Sequence, residues 1–289
     1  MPAFVELTWK GVGGVDLYAR DYARSAGPAR CPVVCIHGLT RNSADFEDVA
    51  PWIASLGRRV IAVDVRGRGR SGRDPDPLRY NPKVYAADVL QLMDESGIGR
   101  AIFVGTSMGG IITMAIAMKR LAAIAGAVLN DVGPVISMKG LERIRAYVGK
   151  GKPVETWEDA AAYMKSINEV AFPKNTDEEW MRWAKRTFRE DNGRVTLDYD
   201  PKIAATIASA KLKPTSLAAK LLYKRLARNR PTLLIRGGNS DLVGPEEAKY
   251  MREAAPRLEY AEVPGVGHAP MLTEPEARRA LSDFLGHVA

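Results

Sequence analysis

Gly105-Thr106-Ser107-Met108-Gly109-Gly110 directly follows the apolar run Arg100-Ala101-Ile102-Phe103-Val104 and leads into Ile111-Ile112-Thr113-Met114-Ala115-Ile116-Ala117-Met118. A short apolar strand, a glycine-flanked serine and an apolar helix in immediate succession form the G-x-S-x-G turn, which presents a serine hydroxyl as a nucleophile. The spacing has a steric cause. A serine on so sharp a turn takes a strained backbone conformation, and the glycines keep neighbouring side chains from colliding there. The N–H groups that open the helix, Met108 first, lack intrahelical acceptors and point where an oxyanion would develop.

Outward from this turn, Pro32-Val33-Val34-Cys35-Ile36, Arg59-Val60-Ile61-Ala62-Val63-Asp64 and Ala125-Gly126-Ala127-Val128-Leu129 are further short, continuous apolar runs. They alternate with helical patterns over about 44–56, 82–96 and 108–122. Continuous apolar strands alternating with helices predict an α/β fold, a mostly parallel sheet covered on both faces. Segments 4–9 and 15–22, joined by Gly11-Val12-Gly13-Gly14, read as an antiparallel hairpin at the sheet edge. From 134 to 230 the texture turns helical, with 194–199 open as a turn or strand fragment, and the α/β rhythm resumes at Pro231-Thr232-Leu233-Leu234-Ile235-Arg236. The division expected is a core of 1–133 and 231–289 with an inserted helical unit of 134–230.

A serine nucleophile needs a base that titrates near neutrality, and the chain has three histidines. His287 belongs to a terminal helix and reads as a surface residue. His37 closes the first parallel strand and reads as shaping its loop. His268, in Gly265-Val266-Gly267-His268-Ala269-Pro270, follows the last strand at the same sheet end as Ser107, where parallel sheets carry their chemistry. It is the expected base. Asp241, in Gly238-Asn239-Ser240-Asp241, is the first choice for the orienting carboxylate. Asp131, in Asn130-Asp131-Val132-Gly133-Pro134, is the alternative, and both keep the order Ser…Asp…His. The second oxyanion donor is expected at Leu39, in His37-Gly38-Leu39-Thr40.

Gly67-Arg68-Gly69-Arg70-Ser71-Gly72 satisfies G-x-G-x-x-G literally. A dinucleotide-binding turn must open a helix at once, whereas Arg73-Asp74-Pro75-Asp76-Pro77 postpones any helix to about Pro82. No cofactor site is expected there.

With 289 residues, 46% hydrophobic and 26% charged, the chain has the composition of a soluble globular protein with a sizeable core. Its formal charge of +8 comes from dispersed basic residues without a nucleic-acid module, so a solvated basic face is expected and no nucleic-acid partner. No signal peptide is read at the N-terminus, and the most apolar stretch is interrupted too often for stable membrane insertion. If the segment of Cys31 and Cys35 is a strand, four residues separate them by roughly 13 Å, beyond the ~7 Å reach of a disulfide. Two reduced thiols suit the cytoplasm and supply no zinc site.

Taken in order, His37-Gly38, Asp64-Val65-Arg66-Gly67-Arg68-Gly69-Arg70-Ser71, Gly105-Thr106-Ser107-Met108-Gly109-Gly110, Gly238-Asn239-Ser240-Asp241 and Gly267-His268 resemble the α/β-hydrolase fold superfamily over nearly the whole chain. The serine places the resemblance in the serine-nucleophile branch, with esterases and lactonases, and outside the aspartate-nucleophile branches. The resemblance implies an eight-stranded sheet with a helical cap inserted after the sixth strand, and a structural role for the Asp-x-Arg-Gly-x-Gly-x-Ser loop. It also implies a carboxylic-ester hydrolase acting on a small-molecule acyl substrate through Ser107, His268 and Asp241, with the N–H groups of Met108 and Leu39 as oxyanion hole and no metal or cofactor. Carbon–carbon bond or lactone hydrolysis on the same triad, acyl transfer, and a ligand-binding receptor with slow turnover stay open beside it. The cap aromatics Trp157, Trp180 and Trp183, with Tyr163, Met164 and Phe188, are candidates for an acyl pocket.

Overall fold

A computed structural model of the protein describes residues 4–151, 154–205 and 216–288. Eight strands form one sheet: β1 (Val5–Lys10), β2 (Asp16–Tyr22), β3 (Val33–Ile36), β4 (Val60–Asp64), β5 (Ala101–Thr106), β6 (Ile124–Asn130), β9 (Thr232–Gly237) and β10 (Glu259–Val263). Their order is β1-β2-β4-β3-β5-β6-β9-β10. β1 and β2 pair antiparallel, β2 joins β4 antiparallel, and every later pairing is parallel. The edge hairpin and the parallel core agree with the sequence reading.

The continuous apolar runs have a direct cause in the layering. Val34, Ile36, Ala101 and Phe103 face a core shared with α2 (Pro82–Glu95) and α3 (Met108–Arg120), whereas Val33, Cys35, Ile102 and Val104 face one shared with α1 (Val49–Ser55) and α9 (Pro275–His287). Side chains that alternate between two faces must all be apolar when both faces are buried.

Between β6 and β9 the chain leaves the sheet and builds α4 (Met138–Tyr147), α5 (Trp157–Asn168), α6 (Asp177–Thr187) and the hairpin of β7 (Phe188–Asp191) with β8 (Arg194–Leu197). The segment left open at 194–199 is therefore largely a strand. Thr156 and Thr176 start α5 and α6 through reciprocal capping boxes with Asp159 and Glu179. The last helix of the expected insertion, α7 (Leu217–Ala227), departs from that reading. It packs on α3 and buries Tyr223 and Leu226 in the main core, so it belongs to the layer that covers the sheet. Residues 206–215, also read as helical, lie outside the described residues. The remaining helix, α8 (Pro245–Ala254), covers the same face as α3.

The glycine-rich loop after β4 is a structural device. Asp64 accepts the Ser43 and Arg70 N–H groups, Gly67 N–H donates to Gly72 O at 2.9 Å, and Arg66 is sealed between Asp74 and Asp88. The next α-helix begins only at Pro82, as expected. Among the described residues no helix is long and apolar enough to cross a membrane.

Candidate active site

Ser107 stands between β5 and α3 with φ 52° and ψ −112°, a left-handed conformation costly for any residue with a Cβ. Its surroundings enforce it. A Cβ on Gly109 would sit 2.0 Å from Ile36 O, one on Gly105 2.5 Å from the Gly109 carbonyl carbon, and one on Gly110 2.4 Å from Val132 Cγ1. Helix α3 thus approaches β3 at backbone contact, which fixes the serine at the carboxyl end of the sheet. Because Ile36 O is backbone and cannot swing aside, Gly109→Ala is expected to cost about 3 kcal/mol and to lower Tm by roughly 6–10 °C in calorimetry.

His268 Nε2 lies 2.9 Å from Ser107 Oγ, and His268 Nδ1 lies 2.7 Å from Asp131 Oδ2. Asp131 is fully buried, and its φ of 55° turns the carboxylate across the end of the sheet. There it also accepts the Gly237 N–H at 3.0 Å on Oδ1 and the Ser240 hydroxyl at 2.6 Å on Oδ2. Ser240 Oγ itself accepts the Leu242 and Val243 N–H groups, which frees its proton for Asp131. An ionised carboxylate only accepts, so the Nδ1 proton belongs to His268 and Nε2 is left bare toward the Ser107 hydroxyl.

The first-choice acid of the sequence reading, Asp241, is not on the imidazole. Its carboxylate is gripped by Arg143 of α4, with Nε to Oδ2 at 2.5 Å and Nη2 to Oδ1 at 2.9 Å. Burial pushes the Asp241 carboxyl up, and the Arg143 guanidinium more than offsets this, so its pKa lies below the usual carboxylate value. The alternative, Asp131, holds the place that Asp241 was expected to hold. Sheet order supplies the reason: β6 lies beside β5, so a residue at its end meets the serine turn and the histidine loop together.

Met108 is the first residue of α3, and Leu39 lines the cavity above Ser107. Arg68, outside the sequence reading of the site, ties these two places together. Its Nε donates to Leu39 O at 2.9 Å, and its Nη2 reaches Met108 Sδ at 3.6 Å. Asn130 was missed as well. It accepts the Ser107 N–H at 3.0 Å, and its Nδ2 donates to Pro270 O at 2.8 Å, joining the serine turn to the histidine loop. Its position at the end of the strand before Asp131 was the available signal. His37 is buried, accepts the Val65 N–H on Nε2 at 3.0 Å and donates from Nδ1 to Gly38 O at 2.6 Å. Burial pushes its pKa down to about 4, so it stays neutral and shapes the loop.

Ser107 and His268 open onto a cavity of about 110 Å³, roofed by Ile144, Tyr147, Tyr163, Met164 and Trp183. Of the three tryptophans read as pocket candidates, only Trp183 lines it. Trp180 is buried behind Trp183 in an edge-to-face contact at 5.5 Å, and Trp157 lies beneath Lys185 Nζ at 3.5 Å. Phe188 is likewise buried, against the edge of Tyr163. Among the described residues no group of three or more His, Cys, Asp or Glu side chains is arranged to hold a metal ion.

A parallel sheet with an edge hairpin, a serine on a strained strand-to-helix turn and a histidine from the loop after the last strand define an α/β hydrolase. The model of the alpha/beta hydrolase family matches residues 33–280, and the chain belongs to that family. It is similar to the 3-hydroxybutyrate-oligomer hydrolase of Cupriavidus necator, 32% identical over 270 residues that span 91% of this chain and 92% of that protein. It is also similar to the 2-(acetamidomethylene)succinate hydrolase of Mesorhizobium japonicum, 28% identical over 277 residues covering 95% and 93%. Among solved structures, an alpha/beta hydrolase from Novosphingobium aromaticivorans superposes with a TM-score of 0.91 at 39% identity over 99% of both chains. The protein is accordingly a hydrolase of small molecules.

Proposed function

We propose that the protein hydrolyses carboxylic esters through an acyl-enzyme on Ser107, with His268 as base and Asp131 as the carboxylate that orients it. The observation that carries this reading is the continuous chain from Ser107 Oγ to His268 Nε2 at 2.9 Å and from His268 Nδ1 to Asp131 Oδ2 at 2.7 Å, opening onto a cavity. Ser107 Oγ attacks the ester carbonyl as its proton passes to His268 Nε2, and Asp131 stabilises the imidazolium. The N–H groups of Met108 and Leu39 hold the oxyanion, and Arg68 bonds the carbonyl of Leu39, which follows that N–H in the loop. Collapse breaks the ester C–O bond, and the alcohol leaves with the proton from His268. Water then adds to the acyl carbon with His268 as base again, releasing the acid and restoring Ser107.

We read the segment that follows β6 as a cap, because Tyr147, Tyr163 and Trp183 close the cavity over the serine. A cavity of this size favours short substrates, since pockets for drug-sized ligands reach ~300–1,000 Å³. The similarity to a 3-hydroxybutyrate-oligomer hydrolase makes short oligoesters of small hydroxy acids the first substrates to try. The free Cys31 and Cys35 suit a reducing compartment, and we place the protein in the cytoplasm.

The test is a fluorophosphonate probe with peptide mapping, alongside p-nitrophenyl esters of increasing acyl length. Labelling confined to Ser107 and turnover highest for short acyl chains are expected. No labelling and no turnover of any ester would refute the reading, whereas labelling without turnover would favour a receptor built on the same site.

A further inference from the structure

Two arginines, Arg41 and Arg143, line the cavity beside Ser107 and His268. Arg41 is fully engaged, with Nε and Nη2 on Asp45 and Nη1 on Thr187. Arg143 is not. Asp241 takes its Nε and Nη2, while Nη1 makes no hydrogen bond to any described residue. Tyr147 stands one helical turn further along α4, on the same face, and also lines the cavity. Its hydroxyl too makes no hydrogen bond to a described residue, and burial pushes its pKa up, so it remains a donor.

We infer that Arg143 Nη1 and the Tyr147 hydroxyl form a docking point for a free carboxylate, so that the preferred substrates are esters that carry one. The inference rests on the ester-hydrolase reading and assigns a substrate class to it. A guanidinium is charged at every accessible pH, and it presents donors along separate edges, so one edge can hold Asp241 while Nη1 serves a second anion. The ion pair with Asp241 also fixes the fork before substrate arrives, which removes the entropy cost of ordering a long side chain on binding. Tyr147 supplies a second, neutral donor to the same carboxylate. Ile144, Tyr163, Met164, Ile167 and Trp183 line the same cavity, and apolar walls strengthen a charge-assisted hydrogen bond relative to its strength in water. The chain's formal charge of +8 further favours the approach of an anion.

Two matched substrate pairs test this on either side of the scissile bond: p-nitrophenyl hemisuccinate against p-nitrophenyl pentanoate, and the 3-hydroxybutyrate dimer against its terminal carboxamide. The wild type is expected to favour the carboxylate member of at least one pair by tenfold or more in kcat/KM, chiefly through KM. The double variant Arg143→Met/Asp241→Asn removes the cation without stranding its partner, and it is expected to bring the ratio within a pair to about one. Tyr147→Phe, which deletes a single hydroxyl, is expected to lower the ratio about threefold to tenfold. Arg143→Lys, which keeps the charge and loses the fork, is expected to retain part of it. No carboxylate preference in the wild type, or a preference that survives in the double variant and in Tyr147→Phe, would overturn the inference and leave ester hydrolysis standing. Absence of both probe labelling and turnover would instead strike the underlying reading.

Discussion

Ser107→Ala is expected to reduce kcat by roughly 10⁶, as happens when the nucleophile of a working triad is removed, and to abolish labelling by fluorophosphonates. The size of the loss follows from the role proposed for the residue. Without Oγ no acyl-enzyme forms, and the remaining route is direct attack by water, assisted only by the oxyanion donors and by binding, which retain about 10³–10⁴ over the uncatalysed reaction. KM is expected to change only a few-fold, because the cavity walls are untouched. The variant is also expected to fold, since alanine adopts the strained φ of 52° at about the same steric cost as serine and the backbone bond from residue 107 N–H to Asn130 O is kept. Turnover within tenfold of wild type, after purification that excludes contaminating esterases, would place the nucleophile elsewhere.

The outcome at Ser107 depends on features that a one-dimensional reading captures well. The strand, turn and helix are adjacent in sequence, the glycines are required by contacts with nearby backbone, and the parallel core announces itself through unbroken apolar runs. His268 was legible for a related reason, since a loop after the last parallel strand opens at the same sheet end. Features decided by distant partners were less accessible. Asp131 and Asp241 both follow a strand. Which one reaches the imidazole turns on Arg143, 98 residues away from Asp241, whose capture of that carboxylate no local pattern records. Trp180 and Trp183 lie on one helix only three residues apart, yet only Trp183 lines the cavity, because the direction of that helix is set by packing. Helix α7 carries an apolar face that fits either a cap or the sheet, and its contact with α3 decides for the sheet.

Asp131→Asn is expected to lower kcat by about 10⁴ with little change in KM, whereas Asp241→Asn should reduce kcat by less than tenfold. An amide at position 131 presents an N–H₂ group as well as an oxygen. Its oxygen is claimed by the Gly237 N–H, which can only donate and lies 3.0 Å from Oδ1, so the N–H₂ takes the place of Oδ2, which faces Ser240 Oγ and His268 Nδ1. The amide N–H₂ then meets His268 Nδ1, which must accept, and the proton moves to Nε2. With that tautomer the imidazole cannot take the proton of Ser107, and the charge that stabilised the imidazolium is gone. Asp241 cannot substitute for it, since its two oxygens are held by Arg143 in a forked pair and its backbone packs against Gly140 of α4. Neutralising Asp241 therefore loosens the seam between α4 and the loop after β9 and disturbs Arg143, with an effect on KM for anionic esters larger than the effect on kcat. The two single variants and their double, assayed on one neutral and one carboxylate-bearing ester, separate the roles. A kcat loss of 10³ or more in Asp241→Asn together with near-normal kcat in Asp131→Asn would restore Asp241 as the acid, and would require the Arg143 pair to open when substrate binds.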